Sequence, residues 1–119
     1  MSLEATDIAA AAVATEPRVT LRSMEEYIAG ITYITGTQLW EASSPTTPAH
    51  PDLAVLTICM VTFRNGFTVL GKSAPAIAAN FSADLGRSIA YEDAIRQAWP
   101  LFGFALREAT QPHPHHSYL

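Results

Sequence analysis

The chain has 119 residues, which suits one domain with a modest hydrophobic core. Seven basic and eleven acidic residues give a net charge of −4, and this balance excludes the dense basic surface that non-specific nucleic-acid binding requires. A single cysteine, Cys59, excludes an internal disulfide bond and a zinc site built on several thiolates.

An alanine-rich segment opens the chain. Thr6 or Asp7 can cap a short helix there, and Pro17 follows the helix as a stop signal. A short helix of this composition is marginally stable without a partner surface. We therefore expect residues 1–17 to form a loosely ordered N-terminal segment.

The next elements are a helix and a strand. Apolar residues at helical spacing predict a second helix over residues 20–29, and Gly30 is expected to end it. Residues 31–35 are β-branched or aromatic and predict a short strand that Gly36 ends.

A proline-rich loop follows. Residues 41–52 contain three prolines and few apolar side chains, a composition typical of an exposed surface loop. Trp40 stands directly before this loop. It either packs beneath the loop or contacts a ligand or a partner, and the sequence leaves both open.

The strongest local pattern is a β-hairpin. Residues 53–63 and 66–71 are rich in β-branched and aromatic side chains, and they meet at Asn65-Gly66. Asn and Gly tolerate positive φ angles, so the pair predicts a tight type I′ turn. Arg64 beside the turn is expected to be exposed.

A long helix is predicted to follow the hairpin. Asn80 or Ser82 can cap it, Gly86 within it indicates a close approach of another backbone, and Pro100 is expected to kink or restart it. Its apolar residues are expected to form one broad face that packs on the sheet: Leu85, Ile89, Tyr91, Ala94, Ile95, Ala98, Trp99 and Phe102.

Together these elements predict a single α+β domain over residues 18–108. It should contain two N-terminal helices, a small three-stranded antiparallel sheet with the Asn-Gly hairpin, and a long C-terminal helix packed on one face. Residues 109–119 should form a disordered tail rich in His and Pro. Because so small a sheet has exposed edges, we expect a homo-oligomer.

The sequence offers no pattern for catalysis or metal binding. Residues 113–116 hold three histidines beside prolines without an accompanying carboxylate, a poor basis for a preorganised metal site. Neighbouring Glu92 and Asp93 diverge by about 100° on a helix and cannot act as a paired acid and base. No serine or cysteine has a catalytic His and acid nearby in the chain. We therefore expect no enzyme activity, no catalytic residues, no metal and no cofactor.

Residues around the start of the long helix suggest an anion-binding corner instead. Lys72, Ser73, Asn80 and the first free N–H groups of the helix are expected to converge, with Arg87 further along. Alternatively, the Ser73 and Asn80 side chains only satisfy backbone groups of the loop. With the two exposed candidates added, the predicted ligand-binding residues are Lys72, Ser73, Asn80, Arg87, Arg64 and Trp40.

An ordered series of short motifs supports a resemblance to a known family. The series is Asn65-Gly66-Phe67-Thr68-Val69-x-Gly71, Ser73-Ala74, Asn80-Phe81, Leu85-Gly86-Arg87, Ile89-Ala90, Asp93-Ala94, Trp99-Pro100-Leu101 and Gly103-Phe104-x-Leu106. It resembles the gene-forty-nine/gene-sixty-six type family of short tailed-bacteriophage proteins, which has no assigned activity. The family commonly has an acidic residue where Lys72 stands and a cysteine where Pro75 stands.

The resemblance implies an accessory phage protein that is made in the infected bacterium. We expect it to act in the host cytoplasm, because no apolar stretch reaches the ~20 residues of a membrane span and no signal peptide is evident. One hypothesis is a non-enzymatic protein that counters bacterial immunity by sequestering an anionic nucleotide-derived signal. The alternative is a protein–protein inhibitor of a host defence or metabolic enzyme, which would use the acidic N-terminal half, the proline-rich loop and Trp40. An enzyme acting on a nucleotide is a third.

Overall fold

The predicted α+β architecture is confirmed by a computed structural model that describes residues 2–112. Its helices and strands are, in chain order, α1 (Leu3–Val13), α2 (Leu21–Glu26), β1 (Ile28–Thr35), α3 (Gly36–Ala42), β2 (Thr57–Phe63), β3 (Thr68–Ser73) and α4 (Ala83–Thr110). Short 3-10 turns occur at Pro51–Val55 and Ala78–Asn80. The histidine-rich part of the expected tail, residues 113–119, lies outside the described residues.

The three strands form an antiparallel sheet in the order β1-β2-β3. Along the central strand, Cys59, Val61 and Phe63 are buried against α4, while Ile58 and Met60 point to the opposite face and are half-buried. This alternation follows from the two-residue period of a strand that packs on one side only. The core therefore lies between α4 and one face of the sheet.

The hairpin turn differs from the predicted type I′ turn. The Phe63 N–H donates to the Phe67 carbonyl at 2.9 Å, and the Gly66 N–H donates to the Phe63 carbonyl at 2.8 Å. Gly66 has a φ of 87°, but Asn65 does not share its positive φ. The loop therefore has three residues, with a type I turn followed by a left-handed glycine. The Asn65 side chain accepts from the Phe67 N–H at 3.0 Å and stabilises this form.

Helix α4 approaches the sheet very closely. Its buried, sheet-facing residues are small and four apart: Gly86, Ala90, Ala94 and Ala98. A Cβ atom at Gly86 would lie 2.9 Å from the Thr57 hydroxyl oxygen, so the close neighbours of Gly86 are side chains, whereas the sequence predicts another backbone there. On the sheet, Gly71 lies directly beneath the backbone of Ala90. Small residues on both surfaces thus set the spacing of helix and sheet.

One expectation for α4 is wrong, and one of the two alternatives for Pro100 is excluded. Leu85 and Ile89, which were placed on its buried face, are 57% and 44% exposed, because the small residues occupy the side towards the sheet. Pro100 does not restart the helix, which is continuous from Ala83 to Thr110. Pro100 lies at an exposed position of this helix.

The N-terminal helices pack against α4 in a second cluster, which also contacts Ile28 of β1. Leu3 of α1 joins Leu21 and Met24 of α2 and Ile95 of α4 in a second buried cluster. The cap of α1 is Ser2 rather than Thr6 or Asp7, and the Ser2 hydroxyl accepts from the Ala5 N–H at 3.0 Å.

The start of β1 differs from the prediction, whereas its end at Thr35, directly before Gly36, is as predicted. Helix α2 ends at Glu26, and Gly30 lies inside β1, where the register shifts between Ile28 and Gly30. Gly36 begins α3 instead of only ending the strand. Before β2, residues 53–55 belong to a 3-10 turn and not to the strand.

We expect acid to loosen α1. The Asp7 carboxylate accepts from the Arg18 guanidinium at 2.7 Å and from the Leu21 N–H at 3.2 Å, and these bonds hold its pKa below the usual value. A carboxyl with a depressed pKa stabilises the fold above its unfolded pKa, and the stabilisation is lost as pH falls through the folded value. Amide chemical shifts of Leu3–Val13 should therefore change below about pH 4.

The matched control for this pH effect is Arg22→Ala. That change removes an exposed ion pair with Glu26, which is 62% exposed, and should leave the α1 titration unchanged. Arg18→Ala should abolish most of the shift of the Asp7 titration. An unchanged Asp7 pKa in Arg18→Ala would contradict this account of α1 docking.

Candidate functional site

A surface cavity of about 300 Å³ lies where β3 leads into the N-terminus of α4. Its lining mixes polar residues with an apolar wall. The polar members are Lys72, Ser73, Asn80 and Ser82, and the larger apolar members are Pro75, Phe81, Leu85 and Ile89. The lining contains one cationic residue and no carboxylate. Its charge therefore favours an anion.

Local structure explains how the polar residues reach this corner. Ser82 is the N-cap of α4, and its hydroxyl accepts from the Leu85 N–H at 3.4 Å. Asn80 ends the preceding 3-10 turn, and its N–H donates to the Ile77 carbonyl at 3.0 Å. The predicted cap of α4 is thus Ser82, and Asn80 is left beside the cavity with its side chain exposed.

Lys72 borders the cavity from the outer strand β3. Its N–H donates to the Asp93 carboxylate of α4 at 2.9 Å. Strand alternation directs its side chain to the sheet face away from α4. The long flexible arm must bend around the edge of β3 for its ammonium group to meet an anion in the cavity.

The N-terminus of α4 supplies the second source of positive potential. The first N–H groups of a helix have no partner within the helix, and the helix dipole makes this end attractive to anions. Asp84 lies in this first turn, but its carboxylate pairs with the Arg87 guanidinium. The ion pair offsets the negative charge that would otherwise repel an anion here.

Only part of the predicted set converges. Lys72, Ser73 and Asn80 line one cavity, whereas Arg87 does not line it and is engaged with Asp84. Arg64 lies at the hairpin turn, where its N–H donates to the Tyr27 carbonyl at 3.0 Å. The corner therefore has Lys72 as its cationic side chain, and the ligand-binding roles remain predictions.

Trp40 belongs to a different region, in the unpredicted helix α3. Its indole N–H donates to the Thr47 carbonyl at 3.0 Å, and its side chain is half-buried. The hydrogen bond anchors the proline-rich loop and supports the alternative in which Trp40 packs beneath that loop. Trp40 does not line the corner cavity.

A larger cavity of about 420 Å³ lies near the hairpin turn, at the other end of the sheet. Aromatic residues dominate its lining: Tyr27, Phe63, Phe67 and Phe102. Ser23 and Asn65 are its polar members, and no charged residue lines it. Although it is larger than the corner cavity, its chemistry suits an uncharged apolar group.

Two titratable side chains at the core, those of Cys59 and Tyr91, have raised pKa values. Cys59 is fully buried, and burial raises the pKa of its thiol. The Tyr91 hydroxyl donates to the Glu25 carboxylate at 2.5 Å, and burial together with this bond raises its pKa. Within residues 2–112 no three His, Cys, Asp or Glu side chains gather in a metal-binding group. No local sequence pattern indicates the Tyr91–Glu25 pair, because 66 residues separate the two.

The helices described here include none that is both long enough and apolar enough to cross a membrane. No curated protein and no solved structure matches the chain. The family model described as the Phage protein (N4 Gp49/phage Sf6 gene 66) family matches residues 19–110, a span that runs from just before α2 to the last residue of α4. The chain therefore belongs to the N4 Gp49/Sf6 gene 66 family of phage proteins.

Proposed function

We propose that this phage protein is a non-enzymatic binding protein that sequesters an anionic, nucleotide-derived signal in the corner cavity. By removing the signal it would counter bacterial immunity in the cytoplasm of the host. The observation that carries this proposal is a cavity with one cationic residue, no carboxylate and an apolar wall at the positive end of a long helix.

The lining matches the two halves of a nucleotide. The Ser73 hydroxyl and the Lys72 ammonium group suit a phosphate, and the dipole of α4 adds positive potential at this end of the helix. Phe81, Leu85 and Ile89 offer an apolar surface for a flat base. The volume of about 300 Å³ is at the lower end of small-molecule sites, so one phosphate and one base would fill it.

Calorimetry with a panel of cyclic dinucleotides and ADP-ribose-type signals tests the proposal. We expect heat with at least one member and a weaker affinity for Lys72→Ala, by about 10-fold or more, because a hydrogen bond to a charged group is lost. Raising the salt concentration should weaken binding further.

The control is Arg64→Ala, which removes a cation at the hairpin turn, away from the cavity. It should leave the affinity unchanged. Absence of heat across the whole panel would count against capture of such a signal, and equal losses in the two variants would count against the corner as its site.

A second candidate is a protein–protein inhibitor of a host defence or metabolic enzyme. The aromatic cavity near the hairpin turn favours it, because Phe67, which lines this cavity, is 55% exposed. A pull-down from bacterial lysate distinguishes the candidates. A stoichiometric partner that Phe67→Ser abolishes would support inhibition.

A further inference from the structure

The two edge strands of the sheet, β1 and β3, differ in whether their outward backbone groups have hydrogen-bond partners. At the outer edge of β3, the Lys72 N–H donates to the Asp93 carboxylate at 2.9 Å, and the Leu70 carbonyl accepts from the Gln97 amide at 2.8 Å. Both partners are side chains of α4. The helix therefore occupies the hydrogen-bonding groups that would otherwise pair with another strand.

The outer edge of β1 has no such cover along its middle. The Gly36 N–H donates to the Leu56 carbonyl, just before β2, at 3.0 Å. Because hydrogen-bonded pairs alternate along an antiparallel ladder, every second residue of β1 before Gly36 also directs its backbone N–H and C=O groups towards β2. Ile31 and Tyr33 consequently turn their N–H and C=O groups outward. Among the described residues no hydrogen bond is made to these outward groups.

The composition of β1 also leaves its edge unprotected. Charged residues and prolines commonly prevent an edge strand from pairing with another chain. Residues 28–35, Ile-Ala-Gly-Ile-Thr-Tyr-Ile-Thr, include neither. The register shift is confined to the start of the strand, and pairing is regular from Gly30 to Thr35. Ile31 and Tyr33 are 44% and 39% exposed.

We propose that β1 pairs antiparallel with β1 of a second copy, with the two-fold axis at Thr32, so that the two sheets form one six-stranded sheet. In this register Ile31 of each copy lies opposite Tyr33 of the other, and each pair exchanges both backbone hydrogen bonds. The proposal does not depend on the corner cavity binding a ligand.

Three features favour a second copy as the occupant. An axis at Thr32 gives the fullest overlap of the outward-facing residues between 29 and 35. The strand is uncharged, so two copies meet without repulsion. Each contact joins an aromatic and a β-branched side chain, a favourable cross-strand pair. Burying an apolar, unpaired edge in this way follows the isologous pattern of two-fold dimers.

Light scattering coupled to size exclusion tests the dimer. At micromolar concentration we expect twice the chain mass of 12.8 kDa. Ile31→Lys combined with Tyr33→Lys should give a single chain mass with an unchanged far-UV circular dichroism spectrum. Thr68→Lys combined with Leu70→Lys is the control, since it adds the same two charges to exposed residues of β3 and should remain dimeric.

Disulfide formation tests the register. Thr32→Cys should oxidise to a covalent dimer, because residues opposed in a non-hydrogen-bonded pair have Cα atoms about 4.5 Å apart, within the range of a disulfide. Thr68→Cys, at the far strand of the same face, should not. A wild-type protein of single chain mass would overturn the dimer. Equal oxidation of Thr32→Cys and Thr68→Cys would overturn the register.

Discussion

Gly71→Ala is expected to destabilise the protein by about 3 kcal/mol or more, the upper part of the range for overpacking a core. A Cβ atom at this position would lie 1.9 Å from the Ala90 carbonyl oxygen and 2.5 Å from the Ala94 nitrogen. Both are backbone atoms of α4, so no side-chain rotation can relieve the clash. The whole helix would have to move away from β3. Urea denaturation monitored by circular dichroism measures the loss.

Gly103→Ala is the matched control for this prediction. Gly103 lies at an exposed position inside α4, and a Cβ atom there would have nothing within 4 Å. Alanine should therefore stabilise the helix by about 1 kcal/mol through its better propensity. A Gly71→Ala variant as stable as wild type would contradict the close packing of α4 on the sheet.

Ile95→Ala is expected to lower the free energy of unfolding by about 2–5 kcal/mol. Ile95 is 0% exposed and joins α4 to Leu21 and Met24 of α2 and to Leu3 of α1. Truncation leaves a cavity at the point where three helices meet. The loss should therefore also release α1, which hydrogen exchange of the Leu3–Val13 amides can detect separately from global unfolding.

Ile89→Ala is the matched control for the Ile95 prediction. The helical pattern in the sequence places both isoleucines on one apolar face, but Ile89 is 44% exposed at the corner cavity. Its truncation should cost less than about 1 kcal/mol. Equal losses in the two variants would mean that α4 is rotated about its axis relative to the arrangement described here.

The sheet could be predicted because its signals are local. Asn65-Gly66 and the β-branched runs on either side indicate a hairpin in any context. The turn type could not be predicted, because it depends on which residues pair across the loop. Phe63 pairs with Phe67, which adds Arg64 to the loop and leaves Gly66 alone in the left-handed conformation.

Helix α3 was missed although a signal for it was present. Thr35 and Gln38 form a reciprocal capping box, in which the Gln38 N–H donates to the Thr35 hydroxyl at 3.1 Å and the Thr35 N–H donates to the Gln38 side chain at 2.8 Å. The β-branched residues before Gly36 predict only that this glycine ends a strand. A glycine accommodates a turn, a helix start or a strand interior, so its identity alone does not decide between them.

The candidate site was only partly predictable for a geometric reason. Lys72, Ser73 and Asn80 are close in the chain, so a short connection brings them together. The direction of the Arg87 side chain depends on how α4 is rotated about its axis. The small residues from Gly86 onward determine that rotation, because they face the sheet. Arg87, the residue after Gly86, lies about 100° around the helix from it, and its side chain is therefore directed away from the cavity.

The most direct test of the central claim is a map of amide chemical shifts during titration with a cyclic dinucleotide and with ADP-ribose. Capture of an anion at the corner predicts shifts that saturate at Ser73, Ala74 and residues 82–86, while the hairpin turn at residues 64–67 stays unchanged. Shifts centred on the hairpin turn and the aromatic cavity, or no saturable shift with either ligand, would contradict the claim.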